Sequence, residues 1–195
     1  EIQPVIDHLE KNDLILQPHE VEVLITGVGA VATTWSLTHT IDSHRPDLII
    51  QAGIAGCFRE YEPGKTLAIA EDNFGDLGVW ENNRFNTIFD LKLADGNHPP
   101  YTNGSLVNPN KKLLQLTGME QVKAVTVNKI TTGTKRIELY QQNVSPVVES
   151  MEGAAFHYIC LKENIPFIQV RSVSNFIGER DKAKWNITQA ISSVN

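Results

Sequence analysis

Short runs of β-branched and aliphatic residues, each closed by glycine or polar residues, set the terms on which this chain can fold. Val21–Thr26 (VEVLIT), Leu48–Gln51, Thr66–Glu71, Val122–Val127, Val147–Val148 and Pro166–Val173 read as strands. Val21–Thr26 is expected to be buried. Between the runs lie stretches with helical spacing: residues 5–11, 30–42, 134–142, 151–163 and 182–194. In residues 30–42 the face is Ala30, Thr34, Leu37 and Ile41. Strands alternating with helices predict an α/β fold, a sheet with helices on both faces. In such sheets ligands bind at the carboxyl ends of the strands. Residues 27–29, 52–56, 128–133 and 172–181 occupy those ends. Residues 72–110, rich in Asn, Asp, Gly and Pro, read as one long connection of the kind that often carries function.

At 195 residues the chain reads as one domain, residues 1–195. With 17 basic and 23 acidic residues its net charge is −6, which argues against nucleic acid as a partner. Cys57 and Cys160 form no zinc pattern and no disulfide framework, and two unpaired thiols fit a reducing cytoplasm. No apolar run of about 18 residues is present, so no membrane partner is expected, and the first residues lack the pattern of a signal peptide.

Several segments carry groups suited to chemistry. Gly27-Val28-Gly29 is either a tight turn or a set of backbone amides facing an anion or a sugar. Ala52–Gly56 reads as a small-residue loop that lets a ligand approach the backbone or simply packs tightly. Glu149 and Glu152 flank a helix start. Either could serve as a cap, or the pair, with Met151 and Gly153, could form a ligand site in which a carboxylate accepts two ribose hydroxyls. Arg171 lies inside an apolar strand, so a carboxylate partner is expected unless the strand is an edge and the head reaches water. Asn175 carries both a donor and an acceptor and could read a purine edge, or serve only as a turn residue.

The order GxG, AGxAG, MEGAA and RSxSN resembles the purine nucleoside phosphorylase and nucleosidase superfamily. Ser150–Phe156, Arg171–Asn175 followed by Gly178–Asp181 and Lys184–Ile187, and Phe74–Val79 are similar to its futalosine-hydrolysing group. The resemblance implies a three-layer α/β/α sandwich with a central mixed sheet. It implies cleavage of an N-ribosidic bond through an oxocarbenium-like transition state. In futalosine, an inosine-like nucleoside with a 5′ aromatic tail, the products would be hypoxanthine and dehypoxanthine futalosine, a step toward menaquinone. By the same resemblance Glu152 takes the ribose hydroxyls and Met151 packs on the sugar. Asn175 donates to O6 or N7 of a 6-oxopurine where adenine-directed relatives carry Asp. Glu1 activates water, and Arg171 pairs with Glu1 or positions that water. Ile54 and Gly56 lie under sugar and base, and Thr132 and Gly133 face the purine. Phe74, Trp80, Phe85 and Trp185 are candidates for the tail pocket, with Arg180 and Lys182 for its carboxylate. The family pattern also places a strand ahead of Glu1 and more of the last helix after Asn195. A product limited to these residues is therefore expected to fold poorly.

No cofactor or metal is expected, and the resemblance implies a homodimer. Residues 27–34 and 51–57 hold no Arg or Lys, so water is preferred over phosphate as nucleophile. The alternatives are a methylthioadenosine/adenosylhomocysteine nucleosidase, a 6-oxopurine nucleoside phosphorylase, and a non-catalytic nucleoside-binding protein.

Overall fold

The computed structural model describes residues 3–11, 19–59, 61–82 and 84–194. Its elements run α1 (Gln3–Lys11), α2 (Ala30–Ser43), β1 (Ile49–Cys57), β2 (Thr66–Asp72), β3 (Gly78–Glu81), β4 (Arg84–Thr87), β5 (Leu106–Val107), α3 (Lys111–Leu116), β6 (Glu120–Thr126), α4 (Thr134–Asn143), β7 (Val148–Ser150), α5 (Gly153–Glu163), β8 (Phe167–Phe176) and α6 (Ile187–Val194). The main sheet has the order β5-β2-β6-β7-β1-β8. It is mixed: β1–β8, β2–β6 and β6–β7 are parallel, while β1–β7 and β2–β5 are antiparallel. This is the α/β architecture with flanking helices that the alternation predicts, and the sheet is mixed as the resemblance implies.

The sheet also closes on itself. Thr66–Ala68 of β2 pairs antiparallel with Val170–Ser172 of β8, so β2, β6, β7, β1 and β8 form a ring. Its interior is filled by Ala55, Cys57, Leu67, Ile69, Val122, Ala124, Val148 and Val173. Small residues opposite larger ones let five strands curl around one another without a void. Outside the ring, Leu37 and Ile41 of α2 and Phe156 and Cys160 of α5 pack on Ile165 and Phe167. The Phe156 and Phe167 rings meet edge to face at 5.4 Å. Tyr140 of α4 covers Val125 and Val127. Cys57 and Cys160 are both buried and free.

Three sequence expectations are corrected. Val21–Thr26 joins no ladder among the described residues, and Val21 and Ile25 are 50% and 73% exposed. A β-branched run becomes a strand only where a neighbour takes its backbone groups. Ala52–Gly56 is not a loop but the second half of β1, because its small residues are what a strand wedged between β7 and β8 requires. The buried face of α2 is Thr33, Leu37 and Ile41 rather than one through Thr34. The long connection holds the β3–β4 hairpin and β5.

One end of the ring is polar and buried. Asp72 Oδ1 accepts from the Asn73 N–H (2.8 Å) and from the Thr126 hydroxyl (2.9 Å). Thr126 Oγ1 in turn accepts the Ala154 N–H at 2.7 Å, and Ser150 Oγ accepts the Gly153 N–H at 3.2 Å. These hydroxyls satisfy the first amides of α5 and fix where that helix begins. Gln169 lies between the Asp72 carboxyl and the His157 ring and acts on both. The His157 Nδ1–H donates to the Leu106 carbonyl at 3.0 Å.

Burial pushes the Asp72 carboxyl up from 3.8 to about 7, against the pull of Thr126 and the Arg171 charge. Burial drags His157 down from 6.5 to about 4, against the pull of Leu106 and Gln169. Asp72 therefore contributes stability that is full below pH 3.8 and lost as pH rises through about 7. His157 contributes stability that is full above pH 6.5 and lost as pH falls through about 4. Between those limits the two slopes oppose and largely cancel. In His157→Asn the opposing slope is gone, and the Asp72 slope remains together with a smaller one of the same sign from Glu149, whose carboxyl is also raised by burial. Urea denaturation should then show stability falling steadily from pH 4 to pH 7; a flat profile would contradict a protonated buried Asp72.

Candidate active site

Arg171 enters from β8 into an apolar neighbourhood, 3% exposed. A guanidinium there must find partners or pay a large desolvation cost. Its Nη2 donates to Gln51 Oε1 at 2.9 Å, and its Nη1 to Glu152 Oε2 at 3.4 Å and to the Ile54 carbonyl at 3.5 Å. Room for it is made by Gly53, the residue of β1 in register with Arg171. A Cβ on Gly53 would lie 2.5 Å from Nη1.

The Arg171–Glu152 pair answers the requirement for a carboxylate read from the sequence. Glu1, the partner that the resemblance implied, lies outside the described residues. Glu152 occupies the N-cap of α5, yet its side chain makes no capping bond. The cap work is done by Thr126 and Ser150. Glu152 Oε1 instead accepts the Gly29 N–H at 3.0 Å. Gly29 has φ +91°, a conformation that glycine adopts freely and that aims its amide across at α5. The carboxylate is thus fixed between the start of α2 and β8, and it keeps partial access to solvent. Plain capping does not account for it. The GxG turn is also more than a turn, since its last amide binds the carboxylate.

Met151 is half-buried beside Glu152. Ile54 and Gly56 follow along β1, each half-buried. Asn175 ends β8 opposite Gly56. Its Oδ1 accepts from the Ser174 hydroxyl at 2.8 Å, and its Nδ2 donates to the Phe176 carbonyl at 2.9 Å. Ser174 also donates to the Ala55 carbonyl, at 3.1 Å. Ile54 and Gly56 of β1, Arg171 and Asn175 of β8, and Met151 and Glu152 just before α5 thus lie on neighbouring elements. Thr132 and Gly133 are exposed at the start of α4, directly after Thr131, whose N–H donates to Glu149. Trp185 is a local brace: its Nε1–H donates to the Glu179 carbonyl at 3.1 Å, and the Arg180 guanidinium lies over its ring.

A cavity of about 990 Å³ has a lining that includes Phe74, Phe85, Phe89, Tyr101, Arg84 and Lys123. Glu152, Met151 and Asn175 do not line it. Phe74 also lines a shallower groove with Trp35, Ala30 and Ala155, so it links the cavity to the start of α2 and α5. Trp80 packs on Phe85 in the hairpin and lies outside the cavity wall. Sequence reading missed Asp72, Gln169 and His157; isolated polar residues within apolar runs are the signal that could have found them.

A family model described as the phosphorylase superfamily matches residues 14–194. The chain is 29% identical to a futalosine hydrolase of Streptomyces coelicolor, a match that covers 91% of this chain and 76% of that one. It is 25% identical to a 5′-methylthioadenosine/S-adenosylhomocysteine nucleosidase of Bacillus velezensis, over 94% of this chain and 80% of that one. Among solved structures, the futalosine hydrolase of Helicobacter pylori superposes with a TM-score of 0.69 at 14% identity, covering 87% of this chain and 73% of that one, which shows a shared fold.

Gly53→Ala should drive the guanidinium off its partners. The expected loss is about 1–3 kcal/mol of stability in urea denaturation, with a weakened hold on Glu152. Unchanged stability would mean that Arg171 has room elsewhere.

Proposed function

The chain belongs to the phosphorylase superfamily, and on that premise we propose that it is an N-ribosyl hydrolase acting on futalosine, releasing hypoxanthine and dehypoxanthine futalosine on a route to menaquinone. The observation that carries this reading is the Glu152 carboxylate, held by the Gly29 amide and Arg171 rather than by its own helix. Such an acceptor suits the 2′ and 3′ hydroxyls of a ribose, and its charge favours an oxocarbenium-like transition state above it. Met151 gives the sugar an apolar floor that excludes stray water. Asn175 donates an amide hydrogen to O6 or N7 of the leaving 6-oxopurine.

In the bond-breaking step the C1′–N9 bond opens, its electron pair passes to the purine, and a water oxygen bonds C1′. Glu1 is proposed as the base that takes the water proton. Asn175 has no proton to give, so the base leaves as an anion steadied by hydrogen bonding and takes its proton from solvent to become hypoxanthine. Water is favoured over phosphate because residues 27–34 and 51–57 hold no cation, and because Arg171 is already engaged with Glu152 and Gln51.

The same reading makes the protein a cytoplasmic homodimer. Two free, buried cysteines suit a reducing compartment. The face of α2 that carries Val31 and Trp35 is left exposed beside the groove, and a second subunit would cover it. The methylthioadenosine nucleosidase reading draws on the 25% relative, and Asn175 at the base-reading position speaks against it.

The test is a panel of futalosine, inosine and methylthioadenosine, with and without phosphate, with the released base identified by chromatography. Hypoxanthine from futalosine, independent of phosphate, is expected; adenine release from methylthioadenosine alone would overturn the reading. Glu152→Gln should lower kcat by about 10²–10³-fold and Glu1→Gln by about 10²–10⁴-fold. Full activity in either variant would remove that residue from the mechanism.

A further inference from the structure

The mechanism above makes no use of Glu149, although the sequence marks it beside Glu152. It lies in β7, only 5% exposed. Its Oε1 accepts the Thr131 N–H at 2.9 Å. Its Oε2 is buried and meets no hydrogen-bond partner among the described residues. Burial pushes this carboxyl above its ordinary range, against the pull of Thr131 and Arg136. A buried carboxylate oxygen left without a donor costs free energy that packing alone would not retain.

The strand register says where that group faces. Gly56 of β1 pairs with Glu149 on one side and with Asn175 on the other. Residues paired across neighbouring strands put their side chains on one face. Glu149 and Asn175 therefore flank Gly56 on a common face, two strand spacings or roughly 9–10 Å apart. Gly56 adds no side chain between them. The position is instead covered by Ile177, from the turn after β8, whose Cδ1 lies 2.5 Å from where a Gly56 Cβ would be. The opposite face of the same strands carries Val148 and Cys57 into the ring interior.

We infer that Glu149 is a specificity-determining residue that accepts the N1–H of a 6-oxopurine, across Gly56 from Asn175. The inference deepens the nucleosidase reading and rests on it. The face holds two polar side chains at the separation a purine needs when bonded at both ends. A 6-oxopurine presents N7 and O6 as acceptors and N1–H as a donor. Asn175 alone cannot enforce that choice, because an amide both donates and accepts. An ionised carboxylate only accepts, so it welcomes N1–H and faces the bare N1 lone pair of adenine with repulsion. Binding supplies the donor that Oε2 lacks. The base enters by displacing the Ile177 side chain that covers Gly56.

The experiment compares futalosine with its 6-amino counterpart, identical except at the purine, on the whole protein and on Glu149→Gln, Glu149→Leu and Glu149→Asp. The intact protein should prefer futalosine. Glu149→Gln and Glu149→Leu should lose about 10²-fold or more in kcat/KM for futalosine and narrow the preference by a similar factor, and Glu149→Gln, which still accepts the Thr131 N–H, should melt no lower than the parent. Glu149→Asp, which keeps an acceptor, should retain the preference. A preference unchanged in both the Gln and Leu variants overturns the inference and leaves the nucleosidase reading standing. Equal losses on both substrates with lowered melting also overturn it, because they mark a structural role. A parent protein that releases no hypoxanthine overturns the nucleosidase reading and this inference with it.

Discussion

A single buried guanidinium organises the site. Arg171 sits in the middle of an otherwise apolar strand, and no part of that strand could tolerate its charge unpaired. Three demands follow from it. Position 53 of β1 must lack a side chain, position 51 must offer an amide oxygen, and a carboxylate must come from another element. Glu152 is that carboxylate. Once it is drawn toward β8, it cannot cap its own helix, and its second oxygen meets the Gly29 amide. A pair that answers a burial problem thereby also fixes a carboxylate with partial access to solvent, which a sugar-binding site needs.

The placement of Glu152 depends in turn on where α5 begins. Asp72, Thr126 and Ser150 meet at one end of the ring, where the Thr126 and Ser150 hydroxyls take up the first amides of the helix and the Asp72 carboxyl accepts the Thr126 hydroxyl. Burial favours the neutral forms of both Asp72 and His157. The strands supply position, the helix start supplies the carboxylate, and the guanidinium joins them.

Much of this was legible in the residue pattern. β2, β6, β7 and β8 follow from β-branched runs, and the burial cost of Arg171 correctly demanded a carboxylate. Which carboxylate it was could not be read, because Glu152 reaches Arg171 only through the way α5 is seated. Ala52–Gly56 misled because small residues signal a loop locally; here they let β1 fit between two neighbours and spare the guanidinium. Val21–Thr26 misled in the opposite sense, since strand propensity means little without a ladder to join. Thr33 and Thr34 differ by one step on a helix and cannot be told apart without knowing what α2 packs against. Asp72, Gln169 and His157 stayed hidden because each is far from the others in sequence, and only the ring brings them together.

The central claim is that water, not phosphate, attacks a ribosyl carbon above Glu152. The most direct measurement is turnover of futalosine in ¹⁸O-labelled water with phosphate present, read by mass spectrometry of both products. The account predicts one ¹⁸O in the released sugar product and none in hypoxanthine. A sugar 1-phosphate without label would contradict it.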